Sequence, residues 1–351
     1  YIYDGLYYAL AQIDGKNYNT KSVHRNSVKS LTFGNLGSTF YSTGVDGRIV
    51  KTNLQSQGTP TVIYNNDFPN KVVAVSPDNK WLVNASDSSY LQVFDLKSAD
   101  TGYKFIVGHQ SFVTDLAFMP DNSGLISVGN DRMVRFNDVR SGQSRLIKQL
   151  DISAKVIDID PTGKWMAIGS LDGETILLST DGKTERPVLA KKSSLIQAIK
   201  FSPDGKMLAI GDEAGTVTLW DVQKSEVVKE LTGHKARVSD IEFSANGILM
   251  ASSSFDGTIQ MWVTQKLDEL PVVLRDNDAY VWDIAFDPDN NYLLAACEDG
   301  EVRIWATNPE LMAKIICGKI SRNMTQEEWD IYVGGEIEFR NTCYSKLLEK
   351  P

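Results

Sequence analysis

The feature that most constrains this chain is a repeat. One kind of octet recurs along it: "DGRIVKTN" from residue 46, "SSYLQVFD" from 88, "DRMVRFND" from 131, "DGETILLS" from 172, "AGTVTLWD" from 214, "DGTIQMWV" from 256 and "DGEVRIWA" from 299. Each joins a turn-forming pair to alternating β-type residues and often ends in an aromatic. Their second positions, 47, 89, 132, 173, 215, 257 and 300, are separated by 42, 43, 41, 42, 42 and 43 residues. Units of this size bury a core only by packing on their neighbours. A period of about 40–45 residues marked by Gly-His and Trp-Asp pairs is that of a four-stranded propeller blade. The expected fold is therefore all-β: a seven-bladed β-propeller of four-stranded antiparallel blades. Short helical flanks are expected at both ends.

On these residues the chain resembles the WD-repeat family, over roughly residues 16–306. The Gly-His and Trp-Asp marks survive best at Gly233, His234, Trp220 and Asp221. Thr52, Asn137 and Leu178 stand where the tryptophan would be. Ahead of the repeats, Ile2, Leu6, Leu10 and Ile13 have helical spacing, which predicts a linker helix over residues 1–15. Residues around 16–22 would supply the strand that closes the last blade and leaves no free edge. After Trp305, Leu311, Ile315, Ile316 and Ile320 return to helical spacing, and Thr325 with Glu328 forms a capping-box pattern. A C-terminal helical extension, residues 307–351, is expected to pack on the propeller. Its tail, "RNMTQEEWDIYVGGEIEFRNTC", is similar to the ending of bacterial multidomain proteins in which a WD-repeat propeller follows a STAND-type NTPase module. That resemblance implies a sensor or scaffold arm of a larger signalling or defence protein. Residue 1 is Tyr, not Met, which leads to the same expectation of an excised piece.

The net charge of −9 argues against broad nucleic-acid binding, which neutralises phosphates with Lys and Arg. There is no apolar run of 18 residues and no secretory leader at the start of the chain, so no membrane partner is expected. The three cysteines, Cys297, Cys317 and Cys343, are odd in number and spaced neither as a zinc site nor as a disulfide framework. They are read as reduced, in a cytoplasmic setting.

The chain has three histidines, His24, His109 and His234. Their separations of 85 and 125 residues are about two and three periods, so each holds the same place in its own repeat. Equivalent positions lie around a ring and do not converge on a metal. Neither metal nor other cofactor is expected. The family resemblance implies that such a His joins a hydrogen-bonded chain of a turn Asp, a second-strand Ser and the Trp. The best-preserved set here would be His234, Ser252, Asp256 and Trp262. Asp46, Asp131, Asp172 and Asp299 hold the same turn position, whereas Ser88 and Ala214 do not, so those two blades should rely on packing. "DGKTE" at 181–185 contains Gly-Lys-Thr, but Leu177 stands where a phosphate loop needs glycine, so it is read as a hairpin turn.

The resemblance also places three positions per blade at the narrow top face. The first set is Ser27, Pro69, Phe112, Ser153, Leu195, Arg237 and Tyr280. The second is Lys29, Lys71, Thr114, Lys155, Gln197, Ser239 and Trp282. The third is Val45, Asp87, Asn130, Leu171, Glu213, Phe255 and Glu298. Leu195, Arg237, Phe255, Tyr280 and Trp282 fall in blades five to seven, and large aromatics and Arg dominate interface energetics. Lys29, Lys71 and Lys155 fall on other blades, and Phe112 adds an aromatic. The expected function is a non-catalytic scaffold or sensor with a protein or peptide site, one half apolar and one half basic. The alternative is a propeller hydrolase or lyase with a site in the central channel.

Overall fold

In the computed structural model, the described residues are 18–34, 37–55, 58–65, 68–98, 102–189, 194–275, 279–319, 325–329 and 343. Strand β1 (Asn19–Ser22) comes first. Blade 1 is β2 (Val28–Phe33), β3 (Thr39–Gly44), β4 (Arg48–Asn53) and β5 (Thr61–Asn65). Blade 2 is β6 (Asn70–Val75), β7 (Trp81–Ser86), β8 (Tyr90–Asp95) and β9 (Tyr103–Val107). Blade 3 is β10 (Val113–Phe118), β11 (Leu125–Gly129), β12 (Met133–Asp138) and β13 (Gln143–Gln149). Blade 4 is β14 (Ala154–Ile159), β15 (Trp165–Ser170), β16 (Thr175–Ser179) and β17 (Glu185–Leu189). Blade 5 is β18 (Ile196–Phe201), β19 (Met207–Asp212), β20 (Val217–Asp221) and β21 (Glu226–Leu231). Blade 6 is β22 (Val238–Phe243), β23 (Leu249–Ser254), β24 (Ile259–Val263) and β25 (Val272–Leu274). Blade 7 orders β26 (Val281–Phe286), β27 (Tyr292–Cys297) and β28 (Glu301–Ala306) beside β1. The seven four-stranded blades expected from the period are thus present, and the early strand closes the ring. Backbone bonds from Val23 and His24 to the Gly300 carbonyl, 3.3 and 3.2 Å, continue that closure.

Burial follows strand position. The second strands are buried on both faces, as in β23, whose six residues LMASSS are all buried. Such a strand is sandwiched between the blades on either side, so alternation gives way to continuous burial. The outer strand β21 is exposed along most of its length. The core accordingly lies between blades. Val128 and Val134 of blade 3 cluster with Ile157, Met166 and Ile168 of blade 4. Ala209 and Leu219 of blade 5 cluster with Val238 and Met250 of blade 6. Each such side chain contributes about 1.5–3 kcal/mol by leaving water. The contact is close enough to need glycine at one second-strand position. A Cβ on Gly211 would sit 2.6 Å from Val238 Cγ1.

In blades 2 and 5 the first hairpin is pinned by the turn chemistry read from "SPDNK" and "SPDGK". Ser76 and Ser202 donate to Asp78 and Asp204, 2.6 and 2.7 Å, and accept the amides of Trp81 and Met207. "DGKTE" is the β16–β17 hairpin, with Gly182 at φ 78°.

The contacts divide the chain into Thr20–Arg303 and a smaller unit containing the described residues of the two ends. In the smaller unit α1 (Pro309–Lys319) starts with Asn308 as its cap, whose side chain accepts the amides of Glu310 and Leu311. A single turn, α2 (Gln326–Trp329), begins just after Thr325. Among the described residues helix therefore occurs only after the last blade. The helix expected over 1–15 lies outside the described residues, so helical flanks at both ends are not what the structure shows. Cys317 and Cys343, both buried, form a disulfide with Cα atoms 5.4 Å apart. This corrects the reading that the cysteines form no disulfide. Cys297 is the one cysteine outside a disulfide among the described residues, and burial pushes its thiol up to about 12.

Candidate binding site at the channel mouth

The three position sets are tied together by backbone geometry. In all seven blades the third-set amide donates to the first-set carbonyl. Examples are Val45 to Ser27, 3.0 Å, Phe255 to Arg237, 3.1 Å, and Glu298 to Tyr280, 2.9 Å. In all seven the first and second strands also change register at one place. The breaks fall between Val28 and Ser30, Asn70 and Val72, Val113 and Asp115, Ala154 and Val156, Ile196 and Ala198, Val238 and Asp240, and Val281 and Asp283. The residue inside each break is the second-set residue: Lys29, Lys71, Thr114, Lys155, Gln197, Ser239 or Trp282. A bulge releases its residue from the ladder and re-aims its side chain. These residues line a cavity of about 550 Å³ at the channel, together with Pro69, Arg237 and Phe255.

The apolar half is assembled around Phe255. Its ring stacks on Tyr280 at 4.9 Å, with planes 8° apart, and meets Trp282 edge-on at 4.5 Å. The Arg237 guanidinium covers Phe255 at 3.6 Å, and the Lys29 ammonium covers Trp282 at 3.0 Å. The Trp282 indole donates to Glu298. Burial alone would raise the Glu298 carboxyl. Bonds from Ser27 and Trp282 and the charge of Lys29 outweigh it and hold Glu298 below its usual value. Tyr280 is 52% exposed and Trp282 is half-buried, so the outer face of the group is open to a ligand. On its far side a second cavity, about 490 Å³, is lined by Phe255, Tyr280, Asp256, Glu298 and Asp299. Leu195, 38% exposed, stands apart from this group of rings in blade 5, and Phe112, 46% exposed, stands in blade 3.

The basic half has a distinct arrangement. Lys71 pairs with Asp87 and lies 5.2 Å from the Phe112 ring, and Lys29 is 3.5 Å from Glu298. Arg237 reaches Glu213 only at 4.0 Å. Burial lowers Lys155, Asp115 partly offsets it, and Lys71 and Arg237 press it down further. Deeper in the first strands lie carboxylates, one residue past the bulge in blades 3, 6 and 7 and three past it in blade 4, each bound to the next blade. Asp115 accepts the Ile157 amide at 2.9 Å, Asp158 that of Phe201 at 2.8 Å, Asp240 that of Ile284 at 3.1 Å, and Asp283 that of Leu31 at 2.8 Å. Sequence reasoning missed this layer and the bulges above it. The signal was the recurrence of Asp one residue after the second-set position in three blades, at Asp115, Asp240 and Asp283. Burial raises Asp115 to about 7, against bonds from the Ile157 and Leu116 amides and the charge of Lys155. Lys200 and Glu242 form a channel ion pair at 2.7 Å.

The histidines are occupied elsewhere. His24 is 2.8 Å from Asp46 and 2.9 Å from Ser42. His109 is 3.0 Å from Asp131 and 2.8 Å from Ser127. His234 is 2.7 Å from Ser252, 3.4 Å from Asp256 and 3.1 Å from Thr258. Bonds from His24 and the Arg25 and Arg48 amides overcome burial and hold the Asp46 carboxyl down at about 2. Three expectations need correction. Trp262 is a buried packing residue in the blade 5–6 cluster, and its indole does not bond Ser252. Asp172 and Asp299 hold the turn position without a histidine. Leu150 stands at the His place of blade 4, and Asp299 pairs with Arg303 at 2.7 Å. The blades lacking the turn Asp do not rely on packing alone. In blade 5, Asp212 accepts the Ala214 and Thr216 amides, and in blade 2 Ser88 bonds Ser86 and the Tyr90 carbonyl. In blade 3 Asn137 does what an indole would: its amide donates to Ser127 at 2.9 Å. The Thr52 hydroxyl in blade 1 is buried without a partner.

Seven blades, three of them carrying a Ser–His–Asp tie at the equivalent place, agree with comparison to known proteins. A family model described as the first β-propeller of IFT122 matches residues 69–306, more than half of the chain. The chain belongs to this WD-repeat β-propeller family. It is 26% identical over 156 residues to human WD repeat-containing protein 36, covering 44% of this chain and 17% of that one. It is 28% identical over 131 residues to Drosophila Protein groucho, covering 37% and 17%. It is 26% identical over 156 residues to Caenorhabditis elegans Pre-mRNA-processing factor 19, covering 43% and 31%. The matched regions thus make up less than a third of each of these relatives.

Proposed function

We propose that the propeller is a non-catalytic interaction module that grips a protein or peptide across the top face of blades five to seven. The observation that carries this reading is the partly exposed Phe255–Tyr280–Trp282 group, capped by Arg237 and set at the edge of the channel cavity. Buried aromatic and Arg anchors beside a pocket are the usual centre of binding energy. Catalysis in the channel would need converging acid–base groups. The three histidines are committed to their blades, and the channel aspartates accept backbone amides. The relatives, each far longer than the region matched, support a module within a longer chain. The C-terminal resemblance makes a bacterial signalling or defence protein the proposed parent. A cytoplasmic setting, proposed from the sequence, requires the Cys317–Cys343 bond to form against a reducing pool. Counting free thiols on protein taken from its native compartment decides that point. The binding reading is tested by affinity capture with the wild type and with an Arg237→Ala, Tyr280→Ala, Trp282→Ala variant of native circular dichroism. A partner held by the first and lost by the second supports it. Equal capture places the site elsewhere.

A further inference from the structure

Lys155 is the cation of the channel mouth with no partner. Among the described residues no hydrogen bond or ion pair reaches its ammonium, although its side chain is half-buried and lines the cavity. Lys29 and Lys71 have carboxylates of their own. Lys155 sits in a bulge, released from the ladder and turned to the mouth, with Lys71 and Arg237 close enough to repel it and Asp115 and Glu213 close enough to attract it. The nearby Asp115 is turned to the next blade, where it accepts the Ile157 amide. A cation with no hydrogen bond or ion pair, at the wall of a cavity, is a place for an anion.

We infer that the partner inserts one carboxylate into the channel mouth, where Lys155 receives it with Lys71 and Arg237 beside it, while an adjoining apolar residue packs against the open side of the Phe255–Tyr280–Trp282 group. This rests on the top-face reading and names its chemistry. Arg237 fixes the spacing, because its guanidinium covers Phe255 and also faces the cavity. The deeper carboxylates fix the depth. Asp115, Asp240 and Asp283, below the bulges, already accept backbone amides of the next blade and offer no cation, so the ligand's carboxylate stops at the lysine layer. The carboxylate can come from an Asp or Glu side chain or from a peptide C-terminus.

Two bead libraries of random octapeptides test this, one ending in a free carboxylate and one amidated, both selected on the wild type, Lys155→Gln and Phe255→Ala. The wild type is expected to enrich an acidic residue beside an apolar one in the amidated library, or the free terminus beside an apolar residue in the other. A charge-assisted bond of about 1.5–3 kcal/mol corresponds to roughly a tenfold to hundredfold preference for Glu over Gln. Lys155→Gln should lose the acidic preference and keep the apolar one, and Phe255→Ala should do the reverse. Apolar enrichment by the wild type with no preference for a carboxylate overturns the anion site and leaves the top-face reading standing. An acidic preference that survives Lys155→Gln also overturns it. Enrichment unchanged in both variants overturns the anion site and the top-face reading together.

Discussion

Asp131→Ala offers a test with an internal control. The Asp131 carboxylate accepts His109 Nδ1 at 3.0 Å, the Gln110 amide at 2.7 Å and the Met133 amide at 3.1 Å, and its side chain is only 4% exposed. A hydrogen bond to a charged group contributes about 1.5–3 kcal/mol, and an orphaned buried partner adds its own desolvation penalty. The truncation strands His109, buried at the end of a chain that runs on through Ser127 and Asn137. Contributions within one network do not add, so the loss is about 3 kcal/mol rather than their sum. At about 2 °C per kcal/mol, the lower end for large domains, Tm falls by about 6 °C. Asp172 holds the same position one blade on, with Leu150 at the His place and only the Ser153 amide at 3.5 Å. Asp172→Ala should cost less than about 0.5 kcal/mol, as surface substitutions usually do. Calorimetry and urea unfolding on the two variants measure the difference. Equal losses, or an unchanged Asp131→Ala, would refute the assignment of the network as a blade tie.

Other outcomes follow from the same geometry. Gly211→Ala drives a Cβ to 2.6 Å from Val238 Cγ1 and should cost about 1–3 kcal/mol in chemical unfolding, partly restored by Val238→Ala. Asn137→Ala removes the amide that stands in for an indole and should cost about 1 kcal/mol, measured the same way. Asp115 governs a pH effect whose sign is fixed by its raised value of about 7. The native state holds this proton more tightly than the unfolded chain. Its contribution is full below the ordinary carboxyl range and is lost as pH rises through about 7. Asp115→Asn, which keeps an acceptor for the Ile157 amide, should flatten the fall in stability between about pH 4 and 7. An unchanged slope in urea unfolding would show that Asp115 ionises normally.

Blade number and ring closure were legible because the period is a property of packing. Each repeat must fill the same wedge, so insertions collect in turns and the register survives even where Thr52 or Leu178 replaces the tryptophan. The His–Asp–Ser ties were legible through the family resemblance, which could be carried over because the three residues keep the same offsets in each of the three blades. The bulge was not. A backbone feature that serves Lys29, Thr114 and Trp282 equally leaves no residue signature. The role of Trp262 was misread because position in the repeat does not fix a hydrogen bond. An indole finds enough free energy in burial alone, as the buried and unbonded N–H groups of Trp81 and Trp220 also show. The Cys317–Cys343 bond was hidden by sequence distance, because its 26-residue separation belongs to no repeated framework.

The most direct test of the central claim is site-specific photo-crosslinking in the source cells. A photoreactive phenylalanine analogue would replace Tyr280 at the channel mouth, 52% exposed, or Val228 on the outer rim of blade 5, 51% exposed. Exposure is matched, so only position differs. Cross-linking of a polypeptide partner at position 280 and not at 228 is the predicted result. Cross-links at 228 alone would place the partner on the rim and contradict a binding site at the channel mouth.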